Sequence, residues 1–391
     1  MTGIILGLII LMVLAYLGWS IVWVGPIAAG VVALGGGLDL FDSYTNVYMG
    51  GFVAFAKTWF PVFMLGAIFG KLMELTYMAS SVSLTIGKIL GEKRAILGVI
   101  LAAAILTYGG VSLFVVVFAV YPLALSLFKK ANISKRLIPA AIALGAFTFT
   151  MAALPGSPQI QNLIPIKYFD TTAMAAPIMG IICGLIMFVG GYFYLKYREN
   201  YLKNLGEFYE ESKDKYQLPS DEKIPHFILS LIPLLCVIIL LNVFSFEIIN
   251  ALLCGIFAIL LLNIHRFRNF VKAMNEGVQG SIIAIINTSG AVGFGSVVKA
   301  VPGFQTLTNL LLDFKINPLI SEGIAVNLLA GATGSASGGL DALPHNGAVL
   351  TLLAITSMSH KKSYLDICVV AVIIPIIALI VGIILAYFGI Y

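Results

Sequence analysis

The chain alternates long apolar runs with short polar interruptions. Apolar runs occupy residues 3–38, 50–75, 96–128, 137–154, 174–195, 226–244, 247–263, 279–300, 319–332, 340–358 and 365–388. Most approach or exceed the roughly 20 residues a helix needs to cross a bilayer. They do not show the short apolar/polar alternation of barrel strands, which excludes a β-barrel. The pattern predicts an all-α polytopic membrane protein. Residues 3–38 are too long for one span. Pro26, with Trp19 and Trp23 near an aromatic interface, fits two short helices or one kinked helix. LDLFDSYTN, with Asp39 and Asp42, is expected to be a wet loop, and residues 76–94 an interfacial segment.

Four interruptions are of a different kind, because they fall inside apolar surroundings. They are TYGGVS (Thr107–Ser112), ALPGSPQIQN (Ala153–Asn162), NTSG (Asn287–Gly290) and ATGSASGGLDALPHN within Leu328–Gly347. Lipid cannot satisfy the backbone of such breaks, which are tolerable only when buried in protein or lining a watery cavity. The run 96–128 has arms too short to cross alone and is flanked by GEKR and KKANISKR. Lys and Arg favour the cytoplasmic side. Two basic flanks therefore suggest a re-entrant hairpin of two half-helices, the alternative being one long kinked span.

Composition narrows the class further. The 391 residues are 60% hydrophobic and 10% charged, with mean hydropathy +1.02, against roughly 25% charge in soluble domains. The net charge of +5 matters less than its placement, since residues 198–224 hold 12 of the 41 charged side chains. This polar cytoplasmic linker divides an N-terminal membrane half (1–197) from a C-terminal half (225–391). No basic face with interleaved aromatics supports nucleic-acid binding. Cys183, Cys236, Cys254 and Cys368 stand alone in apolar runs, which fits packing rather than metal or disulfide chemistry. The first residues, MTGIILGLII, fit a retained helix rather than a signal peptide. A count of passes puts 88–94, 129–136, 198–224, 265–272 and the C-terminus inside. It leaves Lys361 and Lys362 outside, as a misfit.

An internal repeat appears across the linker. GAIFGKLMEL (Gly66–Leu75) resembles GAVGFGSVVKA (Gly290–Ala300), and TYGG falls opposite TGSA (Thr333–Ala336), both at offsets near 226. The pass count runs the two copies in opposite directions, so inverted repeats with broken helices are expected.

Broken helices expose N–H groups at one end and carbonyls at the other, which attract anions and cations respectively. The expected substrate-binding residues are Thr107, Tyr108, Gly109, Gly110, Ser112, Ser157, Gln159, Asn162, Asn287, Thr288, Thr333, Gly334, Ser335 and Ser337. Asp341 and His345 lie four apart and could carry a coupling proton, or form a structural pair or cap. Lys299 could contact an anion or snorkel to the surface. Lys71 and Glu74 share a helix face and either pair or mark a boundary. No HExxH, GxSxG or P-loop pattern appears in usable context, so no enzyme is indicated. Ser335 or Ser337 with His345 is the sole combination that would suit an intramembrane hydrolase.

The segments GAIFGKLMEL with GEKRA, YPLALSLFKKANIS, GAVGFGSVVKAVPGF and GSAS resemble those of the gluconate permease family of proton symporters, within a wider ion-transporter superfamily with paired re-entrant hairpins. The resemblance covers most of the chain. It implies uptake of small sugar acids or hydroxy acids across a bacterial inner membrane, and by superfamily analogy a homodimer. The chain departs from the family pattern in lacking an Asp in TYGGVS, in lacking a His in ALPGSPQIQN, and in carrying Ala330 where an Arg is usual. Together these readings give a secondary transporter that symports a small organic anion with H⁺ or Na⁺ and has no cofactor. A passive channel or facilitator is the alternative.

Overall fold

The computed structural model describes residues 2–17, 19–111, 113–210, 224–306, 320, 323, 342–343 and 347–391. Among the described residues every regular element is helical. Within these described residues four helices are long and apolar enough to cross a membrane, and several shorter apolar helices accompany them. The chain divides into two compact units. The first comprises Met1–Phe63 with Gly280–Val349, the second Met64–Gln279 with Leu350–Tyr391.

In the first unit, α1 (Thr2–Tyr16) and α2 (Ile21–Gly35) pack as a pair, which decides for two short helices over one kinked one. A Cβ placed on Gly3 would lie 2.9 Å from the Gly35 Cα, so the two backbones meet as small residues allow in lipid. The next helix, α3 (Leu40–Leu75), already begins within LDLFDSYTN. The expected wet loop is instead helical, with a π-helical turn at Ser43–Tyr48. The reason is local satisfaction of polar groups. The Asp39 carboxylate accepts from the Asp42 N–H at 2.7 Å as an N-cap, and Asn46 Nδ2 donates to Asp42 Oδ1 at 2.7 Å. The core of this unit joins Ile4, Leu11, Val24 and Val32 to Tyr48, Phe294, Val297 and Val301.

In the second unit, α4 (Met78–Leu90) packs against α5 (Ala95–Tyr108) and α6 (Leu113–Lys130). These last two fold back on each other, with Lys130 Nζ 3.4 Å from the Glu92 carboxylate at their basic ends. One long kinked span is thereby excluded. At 14 residues α5 is about 21 Å long, shorter than the roughly 30 Å apolar core of a bilayer.

The apolar run 137–154 is not one helix. It splits into α7 (Ile138–Ala146) and α8 (Phe149–Ala152). The hydroxyls of Thr148 and Thr150 donate to the carbonyls of Leu144 and Gly145, each at 2.6 Å, which competes with continuation of the helix. Gly145 packs α7 onto α5. A Cβ there would run into the Ile100 carbonyl and lie 2.7 Å from the Ala103 Cβ. Gly145→Ala is expected to cost about 1–3 kcal/mol through overpacking. Thermal unfolding of the purified variant checks this, and an unchanged melting temperature would show that the two helices part easily.

The ALPGSPQIQN interruption is a true break. Residues 153–159 are irregular before α9 (Ile160–Phe169). The following span, α10 (Pro177–Asn204), continues seven residues into the polar stretch that begins at 198. It shows an exposed stripe of Ile178, Ile181, Leu185 and Val189, as a lipid-facing helix does. Then α11 (Phe227–Asn242) and α12 (Ile248–Leu262) pair, with Gly255 accepting the Val237 side chain. In α13 (Phe270–Ala300), Gly277 lies against the Ile68 backbone of α3. Lys71 bonds Glu74 at 2.9 Å and Glu276 at 3.3 Å, so the expected pair is in fact a triad. The short α14 (Gly347–Ile355) precedes the last span, α15 (His360–Tyr387).

That last span corrects the pass count. Asp366, fully buried near the start of α15, holds Arg198 Nε at 2.6 Å and accepts from the Tyr194 hydroxyl at 2.8 Å. Arg136 Nε stands 3.5 Å away. These partners belong to the basic, linker-bearing end of the unit. Lys361 and Lys362 therefore lie at that same end, the misfit disappears, and α15 carries the C-terminus to the opposite end. Loop charges alone could not reveal a pairing between residues 168 apart.

Candidate functional site

The second unit brings two of the four interruptions together. The hairpin tip begins where α5 ends. Gly109 N–H and Gly110 N–H donate to Ile105 and Thr107 carbonyls at 3.0 Å, and Val111 N–H reaches back to the Leu106 carbonyl. Gly110 has φ +94, a left-handed conformation that favours glycine. Gly109 leaves room for Leu234, whose Cβ would be 2.9 Å from any Cβ added there. The chain then enters α6.

The break at 153–159 lies against this tip. Gln159, 9% exposed, donates its amide to the Thr107 carbonyl at 2.7 Å, with a second, longer contact to the Val111 carbonyl at 3.5 Å. The Tyr108 hydroxyl returns a bond to the Pro155 carbonyl at 2.8 Å. Tip and break are thus tied in both directions. The break itself is pinned by amides. Asn162 Nδ2 donates to the Ser157 and Ala173 carbonyls, both at 2.9 Å, and Gly156 N–H donates to the Ala173 carbonyl at 2.7 Å. Gly156 takes φ +79, which spares its backbone the penalty a side chain would bring.

Two helices start at this place, α6 at Leu113 and α9 at Ile160. Helix N-termini carry partial positive charge and unpaired N–H groups. The C-terminal end of α5 carries the opposite sign. One corner of the unit therefore presents both an anion-attracting and a cation-attracting set of backbone groups.

Of the expected site residues, Thr107, Tyr108, Gly109, Gly110, Ser157, Gln159 and Asn162 are brought together. Asn287 and Thr288 are placed differently. The chain does not break at NTSG, and α13 runs through it from Phe270 to Ala300. Gly293 serves packing, since a Cβ there would come 2.9 Å from the Tyr48 carbonyl oxygen, whereas one on Gly290 would make only ordinary contact, 3.5 Å from the Tyr48 hydroxyl. Asn287 and Thr288 are half-buried on this continuous helix, and next to them the Ser289 hydroxyl is fully buried with no hydrogen-bond partner. Lys299 is exposed near the helix end, as a boundary residue would be. Ser112, Thr333, Gly334, Ser335, Ser337, Asp341 and His345 lie outside the described residues.

Asn242 is a site residue that the sequence did not single out. At the end of α11, it donates to the Gly156 carbonyl at 2.9 Å, and its Oδ1 is buried without a partner. A lone Asn closing an apolar run looks like any helix end, so the sequence carries no signal for this role. Among the described residues no group of three or more His, Cys, Asp or Glu gathers as a metal site would.

Comparison with known proteins gives the class. Residues 1–250 match the GntP family permeases. The chain belongs to the GntP permease family. It is also similar to an uncharacterized transporter, YxjC, of Bacillus subtilis (strain 168), with 38% identity over an alignment of 450 residues covering 95% of each chain. It is a multi-pass membrane transporter of a permease family, not a member of an enzyme family. As a permease, the protein binds a substrate within the membrane.

Proposed function

We propose that this permease is a secondary active transporter that symports a small organic anion, such as a sugar acid or hydroxy acid, with a cation, H⁺ or Na⁺. The observation that carries the reading is the Gln159 tether, which sets the hairpin tip and the 153–159 break side by side. That arrangement supports a site where the N-termini of α6 and α9 attract a carboxylate, and where the Ser157 hydroxyl recognises a polar substituent. The hairpin of α5 and α6 is the element we assign as re-entrant, since α5 is too short to span and both basic ends face one side. The repeat offset near 226 supports a counterpart in Thr333–Ser337 and inverted repeats overall, with Asp341 and His345 as candidate coupling groups. Membership of a permease family with a bacterial relative supports placement in the cytoplasmic membrane, and the superfamily analogy supports a homodimer.

The test is accumulation. Purified protein in proteoliposomes is expected to concentrate a labelled small carboxylate above the external level when a proton or sodium gradient is imposed. A protonophore or sodium removal should collapse the gradient of solute. Mere equilibration under both gradients would instead establish a facilitator, and the symport reading would fall.

A further inference from the structure

We propose that the end of α5 binds a sodium-sized monovalent cation, with the Thr107 hydroxyl and the Tyr108 carbonyl among its oxygen ligands. The binding claim stands on the geometry of this corner, and its role in coupling rests on the transport reading above.

The hydroxyl of Thr107 is the anomaly that points to a ligand. Thr107 is fully buried, and its Oγ1 has no hydrogen-bond partner among the described residues. The other buried threonines of this unit behave otherwise. Thr76, Thr148 and Thr356 each donate to the carbonyl four residues back, at 2.6–2.7 Å, and Thr150 donates to Gly145 at 2.6 Å. Thr107 has the same option in its own helix and does not use it. A buried hydroxyl left unpaired costs about 1–3 kcal/mol, so a native chain usually gives it a partner.

The surroundings choose the sign of that partner. Of the last four carbonyls of α5, those of residues 105, 106 and 107 accept bonds from Gly109, Val111 and Gly110 N–H. The Tyr108 carbonyl receives no backbone donor among the described residues. The nearby amide donors are committed: Gln159 to the Thr107 carbonyl, Asn162 to Ser157 and Ala173, Asn242 to Gly156. The atoms left over are oxygens, Thr107 Oγ1 here and Asn242 Oδ1 beside Gly156. A helix C-terminus carries roughly half a negative charge, which repels a carboxylate and attracts a cation. TYGG carries no carboxylate or histidine to take up a proton, and its Tyr108 hydroxyl is already bonded to Pro155. Hard cations need only neutral oxygens. The same corner thus sorts charge, with the anion at the N-termini of α6 and α9 and the cation at the C-terminus of α5.

The experiment is thermal unfolding of the purified full chain in choline, potassium or sodium chloride at one ionic strength. Sodium is expected to raise the melting temperature above the choline value, and potassium at the same concentration is not. Thr107→Val keeps the shape and removes the hydroxyl. In choline it should melt at or above the wild type, because an unpaired polar group is gone, while the sodium concentration for half-maximal shift rises about tenfold. Thr107→Ser should keep the sodium response. No sodium-specific shift in the wild type, or a wild-type response in Thr107→Val, overturns the proposal. Should Thr107→Val not fold, loss of the response in Thr107→Ser would overturn it, and its retention beside a sodium-selective wild type would support it. A shift with organic anions that is indifferent to sodium would remove the cation site and leave the transport reading standing.

Discussion

Gln159→Ala is expected to cut gradient-driven uptake about tenfold or more while the protein still folds. The side chain is the tie between the hairpin tip and the 153–159 break, through a 2.7 Å bond to the Thr107 carbonyl. That carbonyl keeps its bond from Gly110 N–H, so the variant loses one net hydrogen bond, about 1 kcal/mol of stability. Function should suffer more than folding. The substrate is proposed to sit between groups contributed by both segments, and each holds its place only relative to the other. Gln159→Asn, with an amide one methylene shorter, should be nearly as impaired, which separates a geometric role from simple polarity. Uptake kinetics and melting temperature measured on the same preparations decide the matter. Wild-type uptake by Gln159→Ala would show that the tether is dispensable and would move the site elsewhere.

Asp366→Ala should destabilise the protein more than any other single change at the basic end, by about 3–5 kcal/mol. The carboxylate is fully buried and takes a 2.6 Å bond from Arg198 Nε and a 2.8 Å bond from the Tyr194 hydroxyl. Removing it leaves the Arg198 guanidinium buried without its countercharge. Arg136 contributes less, since its Nε is 3.5 Å away and not directed into a hydrogen bond. Arg136 instead reaches Glu207, which also accepts from Ser134 at 2.7 Å. Arg136→Ala should therefore cost less than Arg198→Ala. The double change Asp366→Leu with Arg198→Met should recover much of the loss, because the desolvation of both charges disappears with the pair. Denaturant or thermal unfolding in one detergent measures all four. A melting temperature for Asp366→Ala equal to wild type would show that water already reaches this network.

The paired half-helices were legible in the sequence because two independent signals agree there. TYGG interrupts the apolar run at its middle, and a basic cluster closes each end. The NTSG segment shows the limit of the same logic. Its residue types match those of the true breaks, yet α13 passes through it unbroken. Glycine at 293 is called for by the approach of Tyr48, and that approach is invisible from composition. LDLFDSYTN failed in the opposite direction. Two aspartates suggested a loop, while in the structure they stay exposed but cap and bond their own helix.

What the sequence by itself determined is the class and much of the outline: a helical membrane protein, a hairpin in the run 96–128, a break within Ala153–Asn162, and a family whose members are permeases. Those features are written locally, in runs of apolar residues and in the glycines and prolines that end them. Tertiary structure alone decided which break residues meet. A glutamine in a polar stretch reads the same whether it faces water or the Thr107 carbonyl, and a threonine reads the same whether its hydroxyl is paired or free. It likewise decided that Lys361 and Lys362 belong with the other basic clusters, because a buried Asp366 can place a helix end only once Arg198 has been brought to it. Partner choice between distant polar groups depends on packing in three dimensions, and no periodicity along the chain encodes it.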